Sequence, residues 1–114
     1  MSPASTEPGK SSTGLDQNTA GALAYVGGAL TGIVFLAIEK DSRFVRFHAM
    51  QSTITFLGVL LLHLALTALG VLGFVIYPFF LVAVLILWIV LIVLAFQGRQ
   101  YKLPYIGEMA EKRL

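Results

Sequence analysis

From Phe47 to Gly98 the chain runs fifty-two residues without one Asp, Glu, Lys or Arg. A single α-helix of that length would extend roughly 78 Å, more than twice the ~30 Å hydrocarbon thickness of a bilayer, so the run must fold back. The break falls in Gly70-Val71-Leu72-Gly73-Phe74-Val75-Ile76-Tyr77-Pro78, where two glycines loosen a helix end and Pro78 suits the first turn of the next helix. The pattern predicts a transmembrane hairpin with spans over residues 48–72 and 78–97. Upstream, Gln17 to Ile38 gives twenty-two more uncharged residues, long enough for a first span over residues 19–38, with Asp16 or Asn18 available as its cap. Within it Ala20, Ala24, Gly28 and Gly32 recur every four residues and form one strip of small side chains, the last two making a GxxxG. Another helix can approach closely there, either from the protein's own hairpin, which is the favoured reading, or from a second copy. Tyr25 lies too deep in this span to read as an interfacial anchor.

The polar segments divide the rest. Residues 1–16 are rich in Ser, Thr, Pro and Gly and predict a disordered tail with little to bury, not a signal peptide. Glu39 to Arg46 (EKDSRFVR) is the densest charge cluster of the folded part, and Phe44 and Phe47 interleave with Arg43 and Arg46, as in an interfacial connector. The second span opens polar, with His48, Gln51, Ser52, Thr53 and Thr55. On a helical wheel Ser52, Thr55 and His63 fall within about 60° of His48, and Gln51 lies about 60° to the other side. That polar face must turn toward helices, a partner or water, because unpaired hydrogen-bonding groups are costly in hydrocarbon. The third span is plainly apolar, with Trp88 in its middle. After Pro104, the residues Ile106, Met109, Ala110 and Leu114 form the apolar side of a short amphipathic segment. The expected fold class is all-α: an integral membrane three-helix bundle (17–98) with a short amphipathic C-terminal segment in an interfacial tail (99–114).

Composition changes this picture little. At 57% hydrophobic and 12% charged, the chain needs lipid around it. The +2 net charge gives no reason to expect nucleic acid as a partner, and its distribution matters more than its sum. With three spans, the connector and the C-terminal tail share a side and carry seven of the eight Lys and Arg, leaving only Lys10 on the other. The positive-inside rule then predicts a multi-pass protein of the cell membrane with its N-terminus outside and its C-terminus cytoplasmic.

Candidate chemistry is sparse. The absence of cysteine excludes thiolate catalysis and Cys-ligated metal. His48 and His63, about 22 Å apart along one helix, cannot share a metal within one subunit, and each reads better as a hydrogen-bonded packing residue than as a proton relay. No acidic residue in the spans completes a serine triad, and no phosphate loop follows a strand. The expectation is a protein that is not an enzyme and needs no cofactor or metal.

Two stretches, Glu39 to Ser52 (EKDSRFVRFHAMQS) and Tyr101 to Glu111 (YKLPYIGEMAE), with RFHAMQ as their most specific part, resemble a family of small, largely uncharacterised prokaryotic membrane proteins related to the Tic-twenty-like component of the chloroplast inner-envelope protein-import machinery. The resemblance implies a non-enzymatic helical protein that works in an assembly and aids passage or insertion of polypeptides. The chloroplast members are described as four-helix proteins, whereas this chain has room for three. The likeness carries Arg46, His48 and Gln51 as its motif, beside Arg43 and Phe47. From the residues alone, Arg46 and His48 can fasten the connector to the carbonyls ending the first span or to Glu39. The expected partners are the lipid bilayer and either further copies or other membrane proteins. Alternatives are a small channel or transporter subunit lined by the polar second-helix face, or a scaffold whose tail recruits a cytoplasmic partner.

Overall fold

The computed structural model describes residues 11–114. Five helices follow in order: α1 (Gln17–Val26), α2 (Ala29–Ile38), α3 (Arg43–Ala68), α4 (Val71–Phe96) and α5 (Ile106–Lys112). The fold is all-helical, and α3 and α4 are the two helices long and apolar enough to cross a membrane.

The span expected over residues 19–38 is broken, which is the main correction to the sequence reading. Gly28 takes φ 62°, a left-handed value that a residue with a Cβ rarely adopts. The chain reverses there. The Gly27 amide donates to Thr31 Oγ1 at 2.9 Å, and the Thr31 hydroxyl donates to the Ala24 carbonyl at 3.0 Å, so one side chain closes the turn. The result is an antiparallel pair of ten-residue helices, each about 15 Å long. At its open end the Ser12 hydroxyl lies 2.7 Å from Glu39 Oε2. Residues 11–16 therefore stand at the same end as the 39–42 connector, not at the opposite end as three full crossings required. Of the tail expected to be disordered, residues 1–10 lie outside the described residues.

The long helices also start elsewhere than expected. Ser42 caps α3, its hydroxyl accepting from the Val45 amide at 3.2 Å, so α3 takes in Arg43 to Phe47 and the connector shrinks to four residues. At the other end Gly70, with φ 66°, turns the chain immediately into α4. Pro78 is consequently inside α4 and not in its first turn; only the Phe74 carbonyl loses its helical donor.

Helix α1 packs against both α3 and α4, and α2 packs on α1 and the flank of α3. Gly32 makes the α2 contact close: a Cβ there would stand 2.8 Å from the Ala49 carbonyl oxygen and 2.7 Å from Thr53 Oγ1. The core lies in two clusters, one of Ala20, Ala24, Phe35, Val45 and Ala49, the other of Ala22, Tyr25, Leu91 and Ala95. Both belong to the end where the hairpin inserts. Beyond its tip α3 and α4 continue as a bare pair whose aliphatic side chains are largely exposed, Val71 and Phe74 each at 81%, as lipid-facing surface requires.

Candidate functional site

The polar residues of the second span converge on Tyr25, one turn before the α1–α2 reversal. Its hydroxyl lies 2.6 Å from His48 Nδ1 and accepts from Gln51 Nε2 at 2.8 Å. His48 Nε2 is 3.0 Å from the Arg99 carbonyl, which can only accept, so the proton of a neutral ring sits on Nε2. Nδ1 is then an acceptor, and the Tyr25 hydroxyl must donate to it. Gln51 spends its second amide proton on the Tyr101 carbonyl at 2.9 Å, and its oxygen accepts from the Leu103 amide at 2.9 Å. Every donor and acceptor in this cluster that can be counted is matched, and the three side chains are at most 1% exposed. Phe44, Phe47 and Tyr25 surround the imidazole edge-on, with centroids 4.5 to 5.4 Å away.

Two further bonds hold the reversal at depth. Ser52 Oγ donates to the Gly28 carbonyl at 2.9 Å and Trp88 Nε1 to the Tyr25 carbonyl at 2.7 Å, each adding a second donor to an oxygen that already accepts a backbone amide of the turn. At the other end of α2, Arg46 Nη1 donates to the Leu36 and Glu39 carbonyls at 3.1 and 2.7 Å.

Beside Arg46 the Glu39 carboxylate is fully buried. It accepts from the amides of Ser12, Asp41 and Ser42 and from the Ser12 hydroxyl. Burial alone would raise its pKa, but these donors outweigh it and hold the carboxyl down at about 2. The C-terminal tail is tied down separately, through the bonds of His48 and Gln51 to its backbone, and within the tail Lys102 Nζ meets Glu111 at 2.8 Å.

This architecture occurs in a recognisable sequence: residues 16–110 match the magnetosome magnetite crystal formation protein family, MamF/MmsF. The chain belongs to that family. A UPF0132 membrane protein of Archaeoglobus fulgidus is 44% identical over 88% of this chain and 97% of its own length. Another, from Methanocaldococcus jannaschii, is 45% identical over 91% of this chain and 94% of its own. These relatives are named as membrane proteins and agree with a small membrane-protein family; they give no link to the chloroplast import component. No solved structure matches the chain significantly.

In this MamF/MmsF chain the structure separates the residues that the sequence grouped. Arg46, Phe47, His48, Gln51 and Ser52 gather around the α1–α2 hairpin, whereas Arg43 has no part in that cluster. Thr55 is buried with no hydrogen-bond partner among the described residues, and His63 lies far along α3, bonded to Tyr77. His48, Gln51, Ser52 and Thr55 are at most 3% exposed, so this face is closed inside the chain and lines no water path. Ala20 and Ala24 face α2 and α3 from α1, while Gly28 and Gly32 belong to the reversal and to α2. Tyr25, Trp88 and Thr31 are the residues that sequence reasoning missed, while Glu39, expected as a partner of Arg46 or His48, gives its carbonyl to Arg46 and its carboxylate to Ser12, Asp41 and Ser42. The signal was the Gly27-Gly28 pair, with a hydroxyl four residues on, in a stretch taken for one span. Among the described residues no three of His, Asp and Glu stand close enough to hold a metal ion.

Proposed function

We propose that this protein is a non-enzymatic membrane component that crosses the bilayer twice, inserts α1 and α2 to half depth from one face, and acts bound to other copies or other membrane proteins in an assembly. The observation that carries this reading is the closed accounting around Tyr25, His48 and Gln51. Each of their polar atoms is spent on holding the hairpin and the tail, so the most conspicuous polar cluster retains no base or nucleophile for a substrate. The charge distribution supports an even number of crossings. The seven Lys and Arg among the described residues all lie at the hairpin end, and the turn between α3 and α4 has none. By the positive-inside rule that end is cytoplasmic, and the N-terminus shares it.

Two settings for such an assembly stand behind the reading. Magnetite crystal formation is the family's description and rests on a match along nearly the whole chain; polypeptide passage is implied only by the likeness centred on RFHAMQ. The first carries more weight for that reason. Crosslinkers placed at Leu61, Phe79 and Val82, which are exposed on the bare part of α3 and α4, are expected to capture a discrete protein neighbour in native membranes. Capture of lipid alone at all three positions would count against an assembly. A compartment-specific reporter fused ahead of residue 11 is expected to act in the cytoplasm, and activity on the outer side would remove the two-crossing arrangement.

A further inference from the structure

Past the hairpin tip, among the described residues, one bond between polar side chains joins the two crossing helices. His63 Nδ1 of α3 lies 2.8 Å from the Tyr77 hydroxyl of α4, with ring centroids 5.6 Å apart. Along each helix the pair stands eleven residues beyond Ser52 and Trp88, about 16 Å farther from the hairpin tip that those side chains hold. It brings two protons, the ring N–H and the phenol O–H, and makes one bond between its members. If Tyr77 donates, Nε2–H is left over; if Nδ1–H donates, the hydroxyl proton is left over. Whichever tautomer is present, one donor stays unmatched, and no acceptor for it exists among the described residues. In hydrocarbon an unmatched donor is unfavourable and marks a functional position.

Next to the pair, α3 and α4 border a half-open groove of about 380 Å³ lined by Leu66, Thr67, Gly70, Gly73, Phe74, Tyr77 and Pro78. Its walls are mostly carbon. The Thr67 hydroxyl is already committed to the Leu64 carbonyl at 2.9 Å, which leaves Tyr77 as the point where the polar pair meets the groove. Tyr77 lies about 9 Å inside α4 from the turn, a depth reached by the head of a lipid entering from that face. We propose that this groove holds one long-chain lipid whose head carries a carbonyl oxygen: His63 Nδ1–H donates to the Tyr77 hydroxyl, whose own proton is then given to the lipid oxygen, and the chain lies in the apolar space. This rests on α3 and α4 crossing the membrane and not on what the protein assembles with, so failure of the crosslinking experiment leaves it standing.

An acyl ester of a phospholipid and the ring of a prenylquinone both offer that chemistry, and one experiment separates them. The full chain is reconstituted in vesicles of dialkyl phosphatidylcholine, whose ether links offer no carbonyl. They are doped either with diacyl phosphatidylcholine of equal chain length or with a prenylbenzoquinone, and native mass spectrometry reads what stays bound. One carbonyl-bearing lipid per chain is expected, retained about tenfold over the dialkyl background, the factor that one well-placed hydrogen bond supplies. Its carbonyl stretch should move to lower wavenumber, and the arm that is retained identifies the source. Replacing His63→Leu and Tyr77→Phe together removes both donors and should bring retention down to background, with the Leu103 amide still protected from exchange as the sign of an intact fold. Equal retention of ether and ester lipids with no quinone bound would overturn the proposal, as would a carbonyl preference that survives in the folded double variant. The retention of ether, ester and quinone lipids by the unaltered chain decides the matter even if the double variant fails to fold.

Discussion

Around Tyr25, His48 and Gln51 each countable donor finds an acceptor within the chain, and the ring of His48 is walled by aromatic edges. Farther along the same two long helices, His63 and Tyr77 share one bond and keep a proton unmatched, and Tyr77 borders an apolar groove. The first region has α1, α2 and the tail packed over it; the second has only α3 and α4. The contrast teaches that a histidine in a membrane helix is defined less by its depth than by how many neighbours supply matching groups. Surrounded on several sides, His48 acts as a fastener. His63, held by one neighbour, keeps hydrogen-bonding capacity for something that is not part of the described chain.

The sharpest way to break the comparison is with two glycines of similar helical context. Gly32→Leu drives a side chain into the Ala49 carbonyl and Thr53 and should destabilise the fold by about 3 kcal/mol, the upper part of the range for overpacking. Gly58→Leu meets nothing within 4 Å and should be neutral or slightly stabilising. Unfolding in mixed detergent followed by circular dichroism measures both, and equal effects would show that α2 does not press on α3.

Next in size is Gln51→Leu. It strands the Tyr101 carbonyl and the Leu103 amide, for a loss of about 2 kcal/mol, and hydrogen exchange should find the Leu103 amide deprotected. His63→Leu, with one bond to lose and apolar surroundings to gain, should stay within about 1 kcal/mol of the unaltered protein. If the two changes prove equally damaging, the regions do not differ in the way described.

Trp88→Phe keeps the aromatic surface but removes the donor to the Tyr25 carbonyl; about 1 kcal/mol is expected. The loss should appear as faster exchange in α1, with the α3–α4 turn unchanged.

The last effect is a local one, on pH. The Glu39 carboxyl titrates near 2 in the folded chain against an ordinary value of 4.5. Its contribution is therefore complete above the ordinary value, fades as pH falls toward 2 and is gone below it. Acidification through that window should release Ser12 and expose residues 11–16 to protease while α3 and α4 stay helical. Release already at neutral pH would show that the carboxylate is not what holds this segment.

Much of this could be read from the chain. The uncharged run from Phe47 to Gly98 required a hairpin, because no bilayer accommodates its length as one helix. The destination of Arg46 was legible too, since a guanidinium one turn into α3 stands within reach of the carbonyls ending α2. The partner of His48 was not. Its two bonds run to Tyr25 and Arg99, residues 23 and 51 positions away, and helical periodicity carries no information across such separations. Pro78 misled for a related reason: a proline suits a first turn, but Gly70 had already turned the chain eight residues earlier.

The order of apolar and charged residues determined by itself that the protein belongs in a membrane, that it is helical, and that seven of its eight basic residues share one side. Hydrophobic length and charge placement are local properties that act through the solvent, so they need no knowledge of the fold. Whether Gln17 to Ile38 crosses or turns back was decided only in three dimensions. A span of twenty-two uncharged residues is stable either way until Thr31, Ser52 and Trp88 arrive from three different helices to bond the carbonyls of Ala24, Gly28 and Tyr25, and Gly28 supplies a backbone conformation that lets the chain reverse among them.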